Sequence, residues 1–185
     1  MPNVVTLFAA DIYQIQNCLD ETHLPNLKHL TLDKSFQFPC EYEKFSETLV
    51  QVFPNVKRFD FTAWYVGLVQ IEQFTKFMEP FKGWNFEKAN LSFVRVIDPP
   101  GQTILAALRS MATWNGVKTA KFCFHPNKAD FTAHVDDFIR YSGGFQMVKM
   151  RQDSFLWGAD PEFIQEMQAI FEARNAPISI EVAHD

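Results

Sequence analysis

The stretch LPNLKHLTL, residues 24–32, decides the fold because two other stretches of the chain repeat its pattern. MPNVVTLFA occupies residues 1–9, and FPNVKRFDF occupies residues 53–61. Each copy reads apolar, Pro, Asn, apolar, two variable residues, apolar, one variable residue, apolar. The alternation at the end of each copy is typical of a strand with one buried face. A pattern that recurs at a fixed interval indicates a repeat architecture.

The same spacing of apolar residues continues after the prolines are lost. We take the first apolar residue after Asn as a marker, with apolar partners three and five positions later. The markers are Val4, Leu27, Val56, Phe86, Val117 and Phe145, and a last apolar alternation begins at Ile178. Successive intervals are 23, 29, 30, 31, 28 and 33 residues. The chain is therefore predicted to contain about seven strands. Their predicted core residues are Leu27, Leu30, Leu32, Phe59, Phe61, Leu91, Phe122 and Val148.

Between the markers the apolar residues recur at helical spacing. The predicted helices cover residues 11–19, 39–52, 69–81, 101–114 and 131–141, and a last helix begins at Pro161 with Asp160 as its N-cap. A helix in every connection makes parallel pairing of the strands the default. The near-constant period favours a solenoid with its helices on the convex face over a doubly wound sheet. We predict one α/β domain spanning residues 1–185.

The strand copies resemble leucine-rich repeats, whose core is L-x-x-L-x-L. LPNLKHLTL is the closest copy, and FPNVKRFDF is similar. Repeats of this length with full helices resemble the irregular leucine-rich repeats of F-box-type substrate receptors, although the chain has no F-box segment. The resemblance implies a solenoid that binds a protein partner. The family places Asn or Cys three residues after the last core apolar residue, whereas this chain has Ser35, Trp64, Val94, His125 and Asp153 there.

Composition and charge limit the function. Hydrophobic residues make up 47% of the chain, charged residues 21%, and the net charge is −5, which disfavours a protein that binds duplex nucleic acid. No stretch approaches the roughly 20 apolar residues that span a bilayer, and the start has no secretory signal pattern. Cys18, Cys40 and Cys123 are widely separated, which predicts reduced thiols in an intracellular protein, cytoplasmic or nuclear.

Candidate catalytic and metal-binding residues have plainer explanations. His134 and Asp137 lie at i, i+3 near His125 and Asp136, but a solvated helix face explains them better than a metal site. Cys123 and His125 share one side of a strand without a third orienting group, so a cysteine nucleophile is disfavoured. The pair Gly143-Gly144 follows a helix, which indicates a helix end rather than a phosphate loop. We predict no catalytic residue, metal or cofactor.

The outward side chains of the strands form the candidate binding surface, because they point away from the helices. Five basic residues, Arg58, Lys88, Lys121, Lys149 and Arg151, face outward together with three acidic ones, Asp33, Asp60 and Glu181. This face carries a net charge of +2 on a molecule whose net charge is −5. Such a face suits an acidic peptide or loop, and a face that is merely solvated is the alternative.

The sequence therefore predicts a non-catalytic protein–protein interaction module, such as an adaptor, a substrate-recognition subunit or an assembly subunit. The partner would contact Arg58, Lys88, Lys121, Lys149 and Arg151 together with His29 and Asp60. The alternatives are a small doubly wound α/β enzyme or ligand-binding domain, and a structural subunit of a larger assembly. The uncharged first strand, Val4 to Phe8, predicts that its edge is covered by another chain or by preceding sequence.

Overall fold

Seven short strands form the framework of the part of the chain that the structure describes. The computed structural model describes residues 4–9, 24–32, 42–63, 71–93, 100–124, 128–152 and 160–182. The strands are β1 (Thr6–Ala9), β2 (His29–Leu32), β3 (Arg58–Ala63), β4 (Lys88–Phe93), β5 (Thr119–Phe124), β6 (Met147–Gln152) and β7 (Ile178–Val182). Each strand begins at the first or second residue after a marker, except β7, which begins at its marker. The marker spacing therefore located the strands.

Helices follow the strands from β2 onward in the described residues. They are α1 (Tyr42–Val52), α2 (Ile71–Met78) with a 3-10 turn (Glu79–Gly83), α3 (Pro100–Met111), α4 (Lys128–Ala133), α5 (Val135–Ser142) and α6 (Pro161–Ala173). The predicted helix over residues 11–19 lies outside the described residues. Asp160 caps α6 as predicted, because its Oδ1 accepts a hydrogen bond from the Phe163 N–H at 3.0 Å.

Two predicted helices are interrupted. The helix predicted to run to residue 81 ends at Met78 and continues as a 3-10 turn. Pro80 in this turn has no N–H to donate to an α-helical hydrogen bond, so the end of the α-helix at Met78 could have been predicted from the sequence. The helix predicted over residues 131–141 is divided into α4 and α5 at His134. The predicted helix end at Gly143 is confirmed, with right-handed backbone rather than the left-handed conformation common at such ends.

The strands pair in parallel and in sequential order, but in two sheets. The first sheet has the order β1-β2-β3-β4, and the second has the order β5-β6-β7. Register follows the markers, so that Leu30 pairs with Phe59 and Phe122 pairs with Met150. The parallel α/β class and the sequential order are confirmed within each sheet. The described strands do not form the predicted single sheet of about seven strands, because the ladder is broken between β4 and β5.

The hydrogen bonds before the strands explain this break. At four junctions one carbonyl oxygen accepts from two successive N–H groups of the next unit; the acceptors are Val5, Lys28, Lys57 and Lys118. At the β4–β5 junction the described residues instead contain one isolated bridge, from Asn85 to Asn115. This bridge pairs residues 30 apart, whereas the flanking markers Phe86 and Val117 are 31 apart. The additional residue is Gly116, whose φ is +81°.

Alternate strand residues are buried, which places the described helices against one face of the sheets. Eight strand and marker residues predicted to be core are all buried: Leu27, Leu30, Leu32, Phe59, Phe61, Leu91, Phe122 and Val148. One core cluster includes residues of both sheets and of α1 to α6. β4 and β5 also lie side by side despite the missing ladder. The broken pairing therefore divides the hydrogen bonding of the sheet without dividing the core.

Aromatic side chains fill the middle of this core. Phe81 and Trp84 stack with ring centroids 5.0 Å apart, and Phe86 and Trp114 stack at the same distance. Trp84 Nε1 donates to the Phe53 carbonyl at 2.8 Å, and Trp114 Nε1 donates to a carbonyl of α2 at 3.2 Å. Each buried indole N–H is thus satisfied by the preceding unit of the chain, as buried polar groups require.

Candidate partner-binding surface

The face opposite the helices presents the side chains that alternate with the buried strand residues. We call this surface the strand face. In the first sheet it comprises Thr6, Phe8, His29, Thr31, Arg58, Asp60, Thr62, Lys88 and Asn90. In the second sheet it comprises Thr119, Lys121, Met147, Lys149, Arg151, Ser179 and Glu181. All seven residues predicted to bind a partner lie on the strand face, and the structure divides them between the two sheets.

A hydrogen-bonded group of side chains crosses β2, β3 and β4. Asp60 Oδ2 lies 2.5 Å from His29 Nε2, and Asp60 Oδ1 accepts from the Asn90 side-chain amide. Thr31 Oγ1 lies 3.3 Å from the same His29 nitrogen. Register places Thr31, Asp60 and Asn90 side by side on the three strands. Both carboxylate oxygens of Asp60 are therefore occupied within the protein.

This group is arranged differently from an activated nucleophile. In a nucleophile–His–carboxylate arrangement, the two ring nitrogens of His contact the two partners separately. Here Asp60 and Thr31 both contact Nε2 of His29, so one nitrogen serves both groups. An imidazole bound through one nitrogen does not connect the carboxylate to the hydroxyl through its two ring nitrogens. The group is better suited to fixing side chains on the strand face than to activating Thr31.

Two cations stand opposite each other in the first sheet. Arg58 on β3 is the register partner of Lys88 on β4, and both side chains are exposed. Within the described residues neither has a carboxylate within ion-pair distance. Asp60 is the nearest acid along β3, but it is engaged by His29 and Asn90. Like charges directly opposite on neighbouring strands destabilise a sheet.

The second sheet also places two cations opposite each other, but one of them is paired with a carboxylate. Lys121 on β5 is the register partner of Lys149 on β6. Lys149 Nζ lies 3.1 Å from Glu181 Oε1 on β7, in an ion pair whose side chains are both about half exposed. Lys121 is half-buried and has no ion-pair partner among the described residues, and Arg151 is also half-buried. The prediction that Arg58 and Lys149 are exposed is confirmed, whereas Lys121 and Arg151 are more covered than predicted.

The strand face also contains exposed apolar side chains. Phe8 on β1 is 60% exposed, and Met147 on β6 is 38% exposed. Phe8 is the register partner of Thr31, so it adjoins the hydrogen-bonded group around Asp60. β1 is an edge of the first sheet. Coverage of that edge by another chain or by preceding sequence stays a prediction.

Sequence reasoning left two members of this surface out of the predicted binding residues and missed one turn contact. Thr31 and Asn90 were not among those residues, although the marker intervals of 29 and 30 residues place them beside Asp60. Asparagine also occurs at a different position from that in leucine-rich repeats, because here it precedes the strand. The Asn55 side-chain amide donates to the Pro25 carbonyl at 2.8 Å, which ties the turn before β3 to the turn before β2. The repeated Pro-Asn pair was the signal for this contact.

The remaining candidate residues form no second site within the described ranges. No group of three or more His, Cys, Asp or Glu side chains there is placed to hold a metal ion. His134 lies between α4 and α5, while His125 and the side chain of Cys123 lie outside the described part. A hydrogen bond from Lys82 lowers the pKa of Glu79, and a hydrogen bond to Glu166 raises that of Lys128.

Comparison of the chain with protein-family models, with curated proteins and with solved structures found no match in any of the three. Among the described residues, no helix combines the length and the apolar character that crossing a membrane requires. The geometry of the strand face is therefore the basis for a functional assignment.

Proposed function

We propose that the protein is a non-catalytic interaction module that binds an acidic segment of a protein partner through its strand face. One observation carries this proposal: two cross-strand pairs of like positive charge, Arg58 with Lys88 and Lys121 with Lys149, lie on the face opposite the helices. Arg58 and Lys88 repel each other with no described carboxylate to compensate them, whereas in the second pair Glu181 already compensates Lys149. A bound carboxylate relieves the repulsion, so the pairs favour an anionic partner over bare solvent.

The charge of the whole molecule supports the same partner class. The described strand face carries five basic residues against Asp60 and Glu181, whereas the complete chain has a net charge of −5. The rest of the surface is therefore acidic and repels an acidic segment that approaches from another side. Such a charge distribution orients a partner and increases its association rate.

The repeat pattern supports an interaction role as well. The marker period and the LPNLKHLTL motif resemble leucine-rich repeats, and the solenoid organisation and the F-box-receptor likeness are part of this proposal. Repeat proteins of this kind use their extended strand surface for binding. An intracellular location, suggested by three separate cysteines, belongs to the proposal too.

The second candidate function is a small α/β enzyme or ligand-binding domain with a doubly wound sheet. Such a fold binds its ligand where the strand order reverses. The strand order within each described sheet is sequential, β1-β2-β3-β4 and β5-β6-β7. This order counts against the doubly wound alternative and favours the interaction module.

The test is a quantitative comparison of bound proteins. The wild-type protein and the K121E/K149E variant are immobilised, incubated with lysate of the source cells and washed at increasing salt. Proteins retained on each are then quantified by mass spectrometry. We expect acidic proteins retained by the wild type to be depleted on the variant, because charge reversal replaces attraction by repulsion. Their retention on the wild type should also fall with salt, since salt screens exposed charges.

The matched control is K76E/K82E. It changes the net charge by the same amount as K121E/K149E, but its two residues lie on α2 and the following 3-10 turn. Both control side chains are exposed and lie away from the strand face. Lys82 forms a surface ion pair with Glu79, and exposed pairs of this kind contribute little to stability. Circular dichroism checks that both variants are folded. Equal retention of the same proteins on K121E/K149E and on the control would contradict the proposal.

A further inference from the structure

The first sheet combines an exposed apolar side chain with a pair of cations that no described carboxylate compensates. Phe8 is 60% exposed on β1, and Arg58 and Lys88 lie on β3 and β4 of the same face. A single exposed apolar residue is common on protein surfaces. Its position in the same sheet as these two cations is more informative, because one bound segment can contact both features.

Register fixes the separation of these two features. Phe8 pairs with Thr31, which pairs with Asp60, so Phe8 is two strands from β3 and two residues further along than Arg58. Neighbouring strands are about 4.8 Å apart and residues rise about 3.3 Å along a strand, which gives roughly 12 Å from Phe8 to Arg58 and 16 Å to Lys88. An extended segment covers these distances in about four residues.

We infer that the first sheet recognises an extended segment of a protein partner in which an apolar residue and an acidic residue are about four positions apart. Side chains at i and i+4 of an extended chain point to the same side, so both reach the strand face together. The apolar residue packs on Phe8, and the carboxylate lies between Arg58 and Lys88. This inference rests on the proposed function and adds the sequence spacing of the partner.

The side chains between the two contact points support this arrangement. Thr31, His29, Asp60 and Asn90 bond to one another, so they are already oriented before a partner binds. Pre-orientation reduces the ordering cost of binding. The same bonds occupy both oxygens of Asp60, which leaves Arg58 and Lys88 to the incoming carboxylate.

A random twelve-residue peptide library displayed on phage tests the inference. The library is selected on the wild-type protein and on the F8S, R58E/K88E, K121E/K149E and K76E/K82E variants, and recovered peptides are sequenced. On the wild type and on K76E/K82E we expect pairs of an apolar and an acidic residue separated by four positions to be enriched about tenfold over other separations. On F8S the apolar preference should disappear while acidic residues remain enriched. On R58E/K88E the acidic preference should disappear.

The outcomes separate this inference from the proposed function. Enrichment of acidic residues without a preferred separation from an apolar residue would overturn the inference. If that enrichment were lost on K121E/K149E, the proposed function would still stand, with the second sheet as its site. A preferred separation that persists on both F8S and R58E/K88E would also overturn the inference. Thermal melts of each variant confirm that the compared proteins are folded.

Discussion

Replacing Gly116 by Ala tests the explanation given for the broken ladder. A Cβ atom at this position would overlap the carbonyl oxygen of Phe86 and would lie 2.8 Å from Asn85 Oδ1. The backbone φ of +81° is also one that alanine adopts only at a cost of roughly 1–2 kcal/mol. The Phe86 N–H donates a hydrogen bond to the Asn115 carbonyl at 2.8 Å. The overlap would displace these two groups and so remove a contribution of about 1 kcal/mol.

Together these effects predict that G116A is about 2–3 kcal/mol less stable than the wild type. For a chain of this length that corresponds to a fall of roughly 4–12 °C in Tm. Urea unfolding followed by circular dichroism measures the free energy of unfolding. If the free energy of unfolding falls with urea concentration at the same slope in both proteins, the same surface is exposed on unfolding.

Gly144 provides the matched control. A Cβ there meets no atom within 4 Å, and its φ is not positive. G144A should therefore change the free energy of unfolding by less than about 0.5 kcal/mol, or stabilise slightly by restricting the unfolded chain. If G116A were as stable as G144A, the close approach of Gly116 to Phe86 would be wrong, and with it the explanation of the β4–β5 junction.

Three further predictions concern the core and the helix ends, and chemical denaturation checks each. Leu30 is fully buried in β2, so L30A should lose ~2–5 kcal/mol; a loss below ~1 kcal/mol would mean that the strand register is wrong. W84F removes the hydrogen bond to the Phe53 carbonyl and should cost ~1–3 kcal/mol, whereas retention of wild-type stability would show that water replaces the indole. D160A removes the N-cap of α6 and should cost about 1 kcal/mol, with D160N as the conservative control that retains most of that stability.

The sequence predicted the strands and their register well because both depend on alternation and spacing. Leu30, Phe59 and Leu91 were identified as core from the marker period, and all three are buried. The break between β4 and β5 was not predicted. The 31-residue interval was visible, but whether an additional residue is absorbed in a loop or in a left-handed turn depends on contacts such as that of Gly116 with Phe86.

The candidate site was predictable in composition but not in its internal contacts. Alternation alone placed Arg58, Lys88 and Lys149 on the strand face. It did not show that Asp60 is engaged by His29 and Asn90, because side-chain pairing depends on distances between rotamers. Partial burial of Lys121 also depends on neighbouring side chains rather than on its own position in a strand.

The two indoles that the structure describes lie in the core and provide a spectroscopic probe of tertiary packing. Trp84 stacks on Phe81 with ring planes 16° apart, and Trp114 stacks on Phe86 at 29°. Immobile aromatic rings in asymmetric surroundings produce near-ultraviolet circular dichroism, which disappears when tertiary packing loosens even if helices persist. Both indoles also bond to the unit before their own, so this signal reports contact between successive units. Coincident near- and far-ultraviolet transitions would mean that the stack comes apart in one cooperative event.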